Sequence, residues 1–174
     1  MSKSVRITLS TDSLSAAIHE VNAYKKDIKS KTDKFRERVA EKIRDLAQTS
    51  FNGAIVDDII KGGARRASVK VDVKKEGDVS VVFTPENEYD AVWVEFGAGV
   101  YHNRGYLGSS PHPKGLELHF SIGNYGENGK KDTWGFKDDT GIHITHGTPA
   151  TRPMMNALNE VSRDISVIAR EVFA

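Results

Sequence analysis

The chain has 174 residues, a formal net charge of +1 and no cysteine. This length suits one domain that buries a core without metal or disulfide support. The absence of cysteine excludes disulfides, thiolate zinc sites and thiol nucleophiles, and the near-neutral charge disfavours a dedicated nucleic-acid binder, whose affinity comes mainly from neutralised phosphates.

Positive and negative charges are unevenly distributed along the chain. Residues 1–75 carry 17 Lys and Arg against 10 Asp and Glu, whereas residues 76–174 carry 8 against 14. Oppositely charged faces suit head-to-tail contacts between identical subunits, although two solvated surfaces with uneven charge explain the counts equally well. The sequence has no signal-peptide core and no run of about 20 apolar residues that would span a bilayer, so a soluble protein is expected.

The first part of the chain predicts a short strand followed by a long helix. Apolar and polar residues alternate over residues 5–9, as in a half-buried strand. N-cap oxygens follow at residues 11–13, and no proline interrupts residues 12–50, so one helix, or two with a bend near residues 30–31, is expected. The apolar stripe of this helix is Leu14, Ala17, Ile18, Val21, Tyr24, Ile28, Phe35, Val39, Ile43 and Leu46. At roughly 50–60 Å the helix is too long for one small domain to bury, so part of it is expected to pack on another subunit.

The middle of the chain predicts a β-hairpin and a short helix. Valines alternate with charged residues over residues 69–73, a turn is expected at residues 76–78, and the alternation resumes over residues 79–83. Apolar residues then recur at i, i+3, i+4 and i+7 over residues 89–96, which predicts a short amphipathic helix that ends at Gly97.

Residues 100–147 predict an extended β-arm with long loops, because aromatic and aliphatic residues alternate there among many glycines. The residues expected to contact an adjacent subunit or ring through this arm are Leu116, Leu118, Phe120, Trp134 and Phe136. Thr151 is the expected N-cap of a last helix, with Pro153 in the first turn, where a missing N–H costs nothing. The predicted core-facing seam of that helix is Met154, Leu158, Val161, Ile165, Ile168 and Val172.

Several residues raise the question of chemistry. His143 and His146 are three residues apart in a strand-like or loop-like context, whereas zinc proteases place two histidines four apart on a helix. Three further histidines could add ligands, although no spacing requires it: His102, His112 and His119. The Gly97–Gly99 turn follows a predicted helix, the reverse of a dinucleotide-binding fingerprint. Glu95 lacks a partnered histidine or second carboxylate, so a capping or ion-pairing role is favoured over general acid catalysis.

Two short motifs in a fixed order carry a family resemblance. They are "YDAVWVEFGAG" at residues 89–99 and "HGTPATRPMMNALNEV" at residues 146–161. With the long helix and hairpin before them, the chain resembles the head–tail joining (tail-completion or neck) proteins of tailed bacteriophages. The matching residues are Tyr89, Ala91, Val94, Glu95, Phe96, Gly97, Gly99, Pro149, Arg152, Pro153, Met154, Ala157 and Leu158. The chain departs from the family pattern at Ala98, where threonine is commoner, and in the longer arm at residues 100–147.

The resemblance implies an α+β fold, with a small antiparallel β-sheet packed by the long N-terminal helix and the C-terminal helix. Residues 1–174 would form a single domain with the glycine- and aromatic-rich β-arm inserted at about residues 100–147. The residues given a structural or assembly role are Trp93, Glu95, Phe96, Gly97, Gly99, Pro149, Arg152, Pro153 and Met154. In this interpretation Phe96 anchors the short helix, Gly97 takes a positive φ, and Glu95 fixes backbone or a neighbouring basic side chain.

The function implied is that of a virion structural protein at the head–tail interface, with no enzymatic activity, cofactor or metal. Identical subunits would form a ring, a hexamer or alternatively a dodecamer, that completes the tail and joins it to the head connector. Its partners would be neighbouring neck, connector and tail-tube proteins, with DNA passing through the lumen without sequence-specific binding and no membrane involved. The expected location is the virion tail or neck, and the host cytoplasm during assembly.

Two other functions stay open at this stage. A nucleic-acid-binding module would use the basic residues of the first helix, such as Lys29, Arg36 and Arg38, and would bind DNA in a salt-dependent manner. A small metal-dependent hydrolase would use His143 and His146 with a third histidine, and would retain stoichiometric metal after purification.

Overall fold

The computed structural model describes residues 10–58, 63–85, 89–99, 134–145, 147–148 and 150–174. Three helices and eight strands lie in these parts of the chain. They are α1 (Thr11–Gly53), β1 (Ile55–Asp58), β2 (Gly63–Arg66), β3 (Asp72–Glu76), β4 (Val79–Phe83), α2 (Tyr89–Phe96), β5 (Ala98–Gly99), β6 (Trp134–Asp138), β7 (Gly141–Thr145), β8 (Gly147–Thr148) and α3 (Pro153–Phe173). The predicted strand at residues 5–9 lies outside the described residues.

Helix α1 is one continuous helix of 43 residues, without the bend considered near residues 30–31. At 1.5 Å per residue it is about 64 Å long, somewhat longer than expected. Its N-cap is Ser10 and not a residue at 11–13: the Ser10 hydroxyl accepts a hydrogen bond from the Ser13 N–H at 3.2 Å. Among the described helices, none combines the length and the apolar character needed to cross a membrane.

Helix α3 runs antiparallel to the C-terminal half of α1. Its last residue, Phe173, packs its ring on that of Phe35 with centroids 6.0 Å apart. The Lys42 ammonium donates to Asp164 at 2.6 Å, and this hydrogen bond raises the pKa of Lys42 above its ordinary value. The buried face of α3 is Pro153, Ala157, Val161, Ile168 and Val172. The predicted seam was therefore partly wrong, because Leu158 and Ile165 lie beside this face and are exposed.

The strands form four separate two-stranded antiparallel pairs within the described residues: β1–β2, β3–β4, β5–β8 and β6–β7. This confirms the α+β class. The β3–β4 hairpin was predicted, but its turn is tighter than expected, because Glu76 already pairs with Val79 and Gly77 takes φ +59°. The β1–β2 pair was not predicted; it follows directly on the end of α1.

The core is small and built mainly from alanine and valine. Phe51 of α1 and Val94 of α2 are completely buried at its centre, and Ala157 of α3 closes it from the other side. Because small side chains dominate, the elements approach closely and each contact depends on the shape of its neighbour. The core thus joins the end of α1, the segment before β3, α2 and the start of α3.

Gln48 ties α1 to the extended segment that precedes β3. Its amide nitrogen donates to the Val69 carbonyl at 2.8 Å, and its amide oxygen accepts from the Val71 N–H at 2.8 Å. The side chain therefore replaces the neighbouring strand that would otherwise satisfy these two backbone groups. Val69 and Val71 themselves are buried against the core.

Replacement of Gln48 by Ala is expected to lower the free energy of unfolding by about 1–3 kcal/mol, since it leaves two backbone groups without their partners. Gln48→Glu keeps an acceptor for Val71 but cannot donate to the Val69 carbonyl, so it should not restore stability. Urea denaturation measures both effects. The exposed neighbouring variant Thr49→Ala is the control and should change stability by less than about 0.5 kcal/mol; an equal loss there would contradict this account.

Candidate functional site

The two motifs that carry the family resemblance lie side by side and form one joint. Strand β5, which follows α2, pairs with β8, which precedes α3, in the register Ala98↔Thr148 and Gly99↔Gly147. One residue before Glu95, the Val94 carbonyl accepts the Thr151 N–H at 2.9 Å. Motifs that are about 50 residues apart in sequence are therefore joined by backbone hydrogen bonds.

Glu95 is buried in this joint and caps helix α3. Its Oε2 accepts the Met154 N–H at 2.8 Å and its Oε1 accepts the Met155 N–H at 3.1 Å. The first N–H groups of a helix lack partners within the helix, and the helix dipole favours negative charge there. Both carboxylate oxygens thus bind backbone and stabilise the start of α3.

The expected N-cap at Thr151 was wrong, and the backbone gives the reason. The chain enters α3 through Arg152 in the left-handed region, with φ 57° and ψ 52°, and Arg152 makes no side-chain capping hydrogen bond. Pro153, as predicted, occupies the first turn and has no N–H to satisfy. With Glu95 bound to the next two amides and the Asn156 N–H donating to the Arg152 carbonyl at 2.9 Å, the first turn is complete.

Gly97 turns the chain from α2 into β5. Its φ is +81°, a conformation that glycine adopts at low cost, and its N–H donates to the Trp93 carbonyl at 2.7 Å. The prediction that Gly97 ends a short helix over residues 89–96 is confirmed. Trp93 packs against the core, and Phe96 is half-buried.

Asp90 is a second buried carboxylate in α2, and the sequence analysis did not identify it. Two nitrogens of the Arg65 guanidinium donate to its two oxygens at 2.6 and 2.8 Å, and the Ser68 N–H donates at 3.0 Å. An acidic residue in the first turn of a short helix is a sequence feature that suggests a structural role for Asp90. Nothing in the residue spacing indicated that Arg65 is its partner. Asp90 and Glu95 together fasten α2 to β2 at one end and to α3 at the other.

Both buried carboxylates bind donors of the same chain. Glu95 accepts the N–H groups of Met154 and Met155, and Asp90 accepts the Arg65 guanidinium and the Ser68 N–H. Within the described residues no group of three or more His, Asp or Glu could hold a metal. His143 lies in strand β7, and the other histidines of the metal hypothesis, His102, His112, His119 and His146, lie outside the described residues.

Two arginines of α1 form contacts within the fold. Arg36 binds Asp33 of its own helix and the Asp78 carbonyl at the tip of the β3–β4 hairpin. Arg38 donates to Glu171 of α3 at 3.2 Å. Two of the three basic residues considered for nucleic-acid binding are thus used within the fold, while Lys29 is exposed.

The structure describes the base of the predicted arm. Trp134 and Phe136 lie in strand β6, where their Cα partners in β7 are Thr145 and His143. The remaining arm residues and one motif residue lie outside the described residues: Leu116, Leu118, Phe120 and Pro149. An assembly role for the arm and for the joint stays a prediction.

Residues 12–97 match the family HK97-gp10-like, described as "Bacteriophage HK97-gp10, putative tail-component". The matched segment is just under half of the chain and runs from the first turn of α1 to Gly97. It includes the first motif except its last two residues, and it ends before the second motif. Comparisons with curated proteins and with solved structures gave no match. The match confirms the resemblance to phage tail proteins and supports a structural role in the virion.

Glu95→Ala is expected to lower the free energy of unfolding by about 2 kcal/mol, because it removes the cap of α3 and the favourable charge at the helix start. Glu95→Gln keeps one acceptor and should lose about half as much. Urea denaturation followed by circular dichroism measures both. Glu37→Ala, at an exposed site of α1, is the matched control, and a loss there as large as at Glu95 would refute the capping role.

Proposed function

We propose that this chain, whose residues 12–97 match the HK97-gp10-like family of bacteriophage tail components, is the subunit of a ring that completes the phage tail. The ring would stand at the head–tail interface and join the upper end of the tail to the head-side connector. The observation that carries the proposal is the family match itself. The match covers nearly all of α1, the hairpin and most of the first motif. These elements also carry part of the resemblance in the sequence.

The internal chemistry of the described residues supports an architectural role. The two buried carboxylates of α2, Asp90 and Glu95, both bind donors of the same chain. Such contacts hold α2 and α3 in one fixed arrangement, which suits a subunit that must present the same surfaces to every neighbour. The subunits would act by assembly: they associate head to tail, and the rotation between neighbours closes the ring.

Six copies would match the usual symmetry of a tail, as the resemblance implies, with twelve as the alternative. DNA would pass through the lumen of the ring without sequence-specific contacts. The partners of the ring would be the neck or connector proteins above it and the tail-tube proteins below it. The protein would be located in the tail or neck of the virion, and in the host cytoplasm during assembly.

The ring is tested by light scattering of the purified protein over a range of concentrations, with negative-stain images of any large species. A mass of about six or twelve subunits with a ring outline is expected. Immunogold labelling of tailed particles tests the position independently. Gold at the junction of head and tail is expected, whereas labelling along the tail shaft or at its distal tip would refute the proposed location.

The predicted arm is tested by a deletion that spares its described base. Replacing residues 104–131 with a short Gly-Ser linker leaves β6 and β7 in place, so the chain should fold with unchanged far-ultraviolet circular dichroism from its helices. If the arm contacts an adjacent subunit or ring, the shortened chain should fail to support particle assembly in complementation. Normal particle yield from the shortened chain would show the arm prediction to be wrong.

A further inference from the structure

The N-terminal half of α1, residues 11–34, extends past the described elements that cover the rest of the helix. Helix α3 ends beside Phe35 through the ring contact of Phe173, and the tip of the β3–β4 hairpin reaches Arg36. Helix α3 and the β3–β4 hairpin, the two described elements that pack on α1, therefore both end near residues 35 and 36 of α1. About 36 Å of helix lies before these contacts.

An apolar stripe continues along this half of the helix. Leu14, Ile18 and Val21 are each 52–54% exposed, and Ile28 is 37% exposed, while Ala17 between them is buried. On the other half of α1 the same stripe, continued by Phe35 and Ile43, packs on α3 and the hairpin. A contiguous exposed stripe of large aliphatic side chains is typical of an interaction surface.

The spacing of the stripe is that of a coiled coil. Counted in heptads, Leu14, Val21 and Ile28 occupy successive a positions, and the next a position is Phe35, which already packs on α3. The d positions are Ala17, Tyr24 and Lys31. At the flanks, Glu20 occupies a g position and Lys25 the e position five residues later, and both are exposed. In coiled coils these flanking charges set partner choice and orientation.

Charge and register favour a parallel arrangement of two such helices. When parallel helices pack in register, a g residue faces the e residue five positions later on its neighbour, so Glu20 faces Lys25. An antiparallel arrangement that places Val21 opposite Tyr24 brings Glu20 near Asp27 and Leu14 near Lys31, which opposes like charges and sets an apolar residue against an ammonium. In the parallel arrangement Lys31 faces Lys31, and each ammonium has Asp27 of its own helix at 3.8 Å. The opposed carboxylates of Glu20 and Asp27, together with the contact of Leu14 with Lys31, disfavour the antiparallel arrangement.

We infer that a second copy of this chain covers the stripe, with its α1 running parallel, so that Glu20 of one copy pairs with Lys25 of the next. The inference deepens the proposed ring and rests on its self-association. A rotation about an axis along α1 keeps the helices of all copies parallel, so the arrangement agrees with cyclic symmetry. Residues five apart on one helix do not face each other, so a Glu20–Lys25 pair can form only between copies.

The test is a charge exchange measured by sedimentation equilibrium of the full chain. Glu20→Lys and Lys25→Glu each place like charges together and should weaken association about fivefold per contact. An equimolar mixture of the two variants should recover wild-type association, because each variant then faces its complement. Val21→Ser should weaken association more than tenfold through lost apolar burial. Lys26→Glu, an equal charge reversal on the opposite side of the helix, should have no effect.

Three results would overturn the inference. If the wild-type protein associates and all stripe variants match it, a different surface forms the contact, and the ring proposal stands without this interface. If Val21→Ser lowers the melting temperature of the monomer, the stripe packs within its own chain. If the mixture fails to recover association although each single variant weakened it, the charges do not meet across copies. Gold labelling away from the head–tail junction would refute the proposed location while leaving the self-association result intact.

Discussion

The joint between the two motifs depends on a single carboxylate at the start of a helix. Glu95 occupies the two amides that Pro153 and the left-handed Arg152 leave at the first turn of α3. Without that charge the chain would have to bury two N–H groups near the core with no acceptor, which is costly. Because α3 packs along α1, the orientation of the two longest elements is fixed by this contact together with the small-residue core around Val94.

The same helix, α2, is the central connector of the fold although it has only eight residues. Its first turn carries Asp90, which holds Arg65 and the Ser68 amide, and its last turn carries Glu95. The Val94 carbonyl adds a third connection to the residues before α3. A short helix would be marginal alone, so its stability here comes from these tertiary contacts. Val94 and Glu95, which make two of the three connections, are among the residues that carry the family resemblance.

Periodic patterns in the sequence predicted the helices and strands that depend on local spacing. They did not predict the contacts between residues that are distant in the sequence. The stripe of α1, the valine alternation of the hairpin and the i, i+3, i+4, i+7 spacing of α2 each led to the correct element, because backbone period and burial agree there. The β1–β2 pair was missed because neither of its four-residue strands alternates apolar and polar residues, although the sequence has a glycine pair at residues 62 and 63. The cap of α3 and the partner of Asp90 were missed because each contact joins residues that are far apart in the sequence. For Glu95 the sequence predicted a capping or ion-pairing role but not the residues that it binds.

The pairing of β5 with β8 has a consequence for how this chain can change. Gly99 and Gly147 are opposite each other in the register, so the segment between them leaves and re-enters the fold at one place. The cost of closing such a loop rises only slowly with its length. Length and content of the insertion can therefore vary while the capped joint stays as it is. The β5–β8 pair is therefore a site at which a different binding element, natural or engineered, can be inserted without redesign of the core.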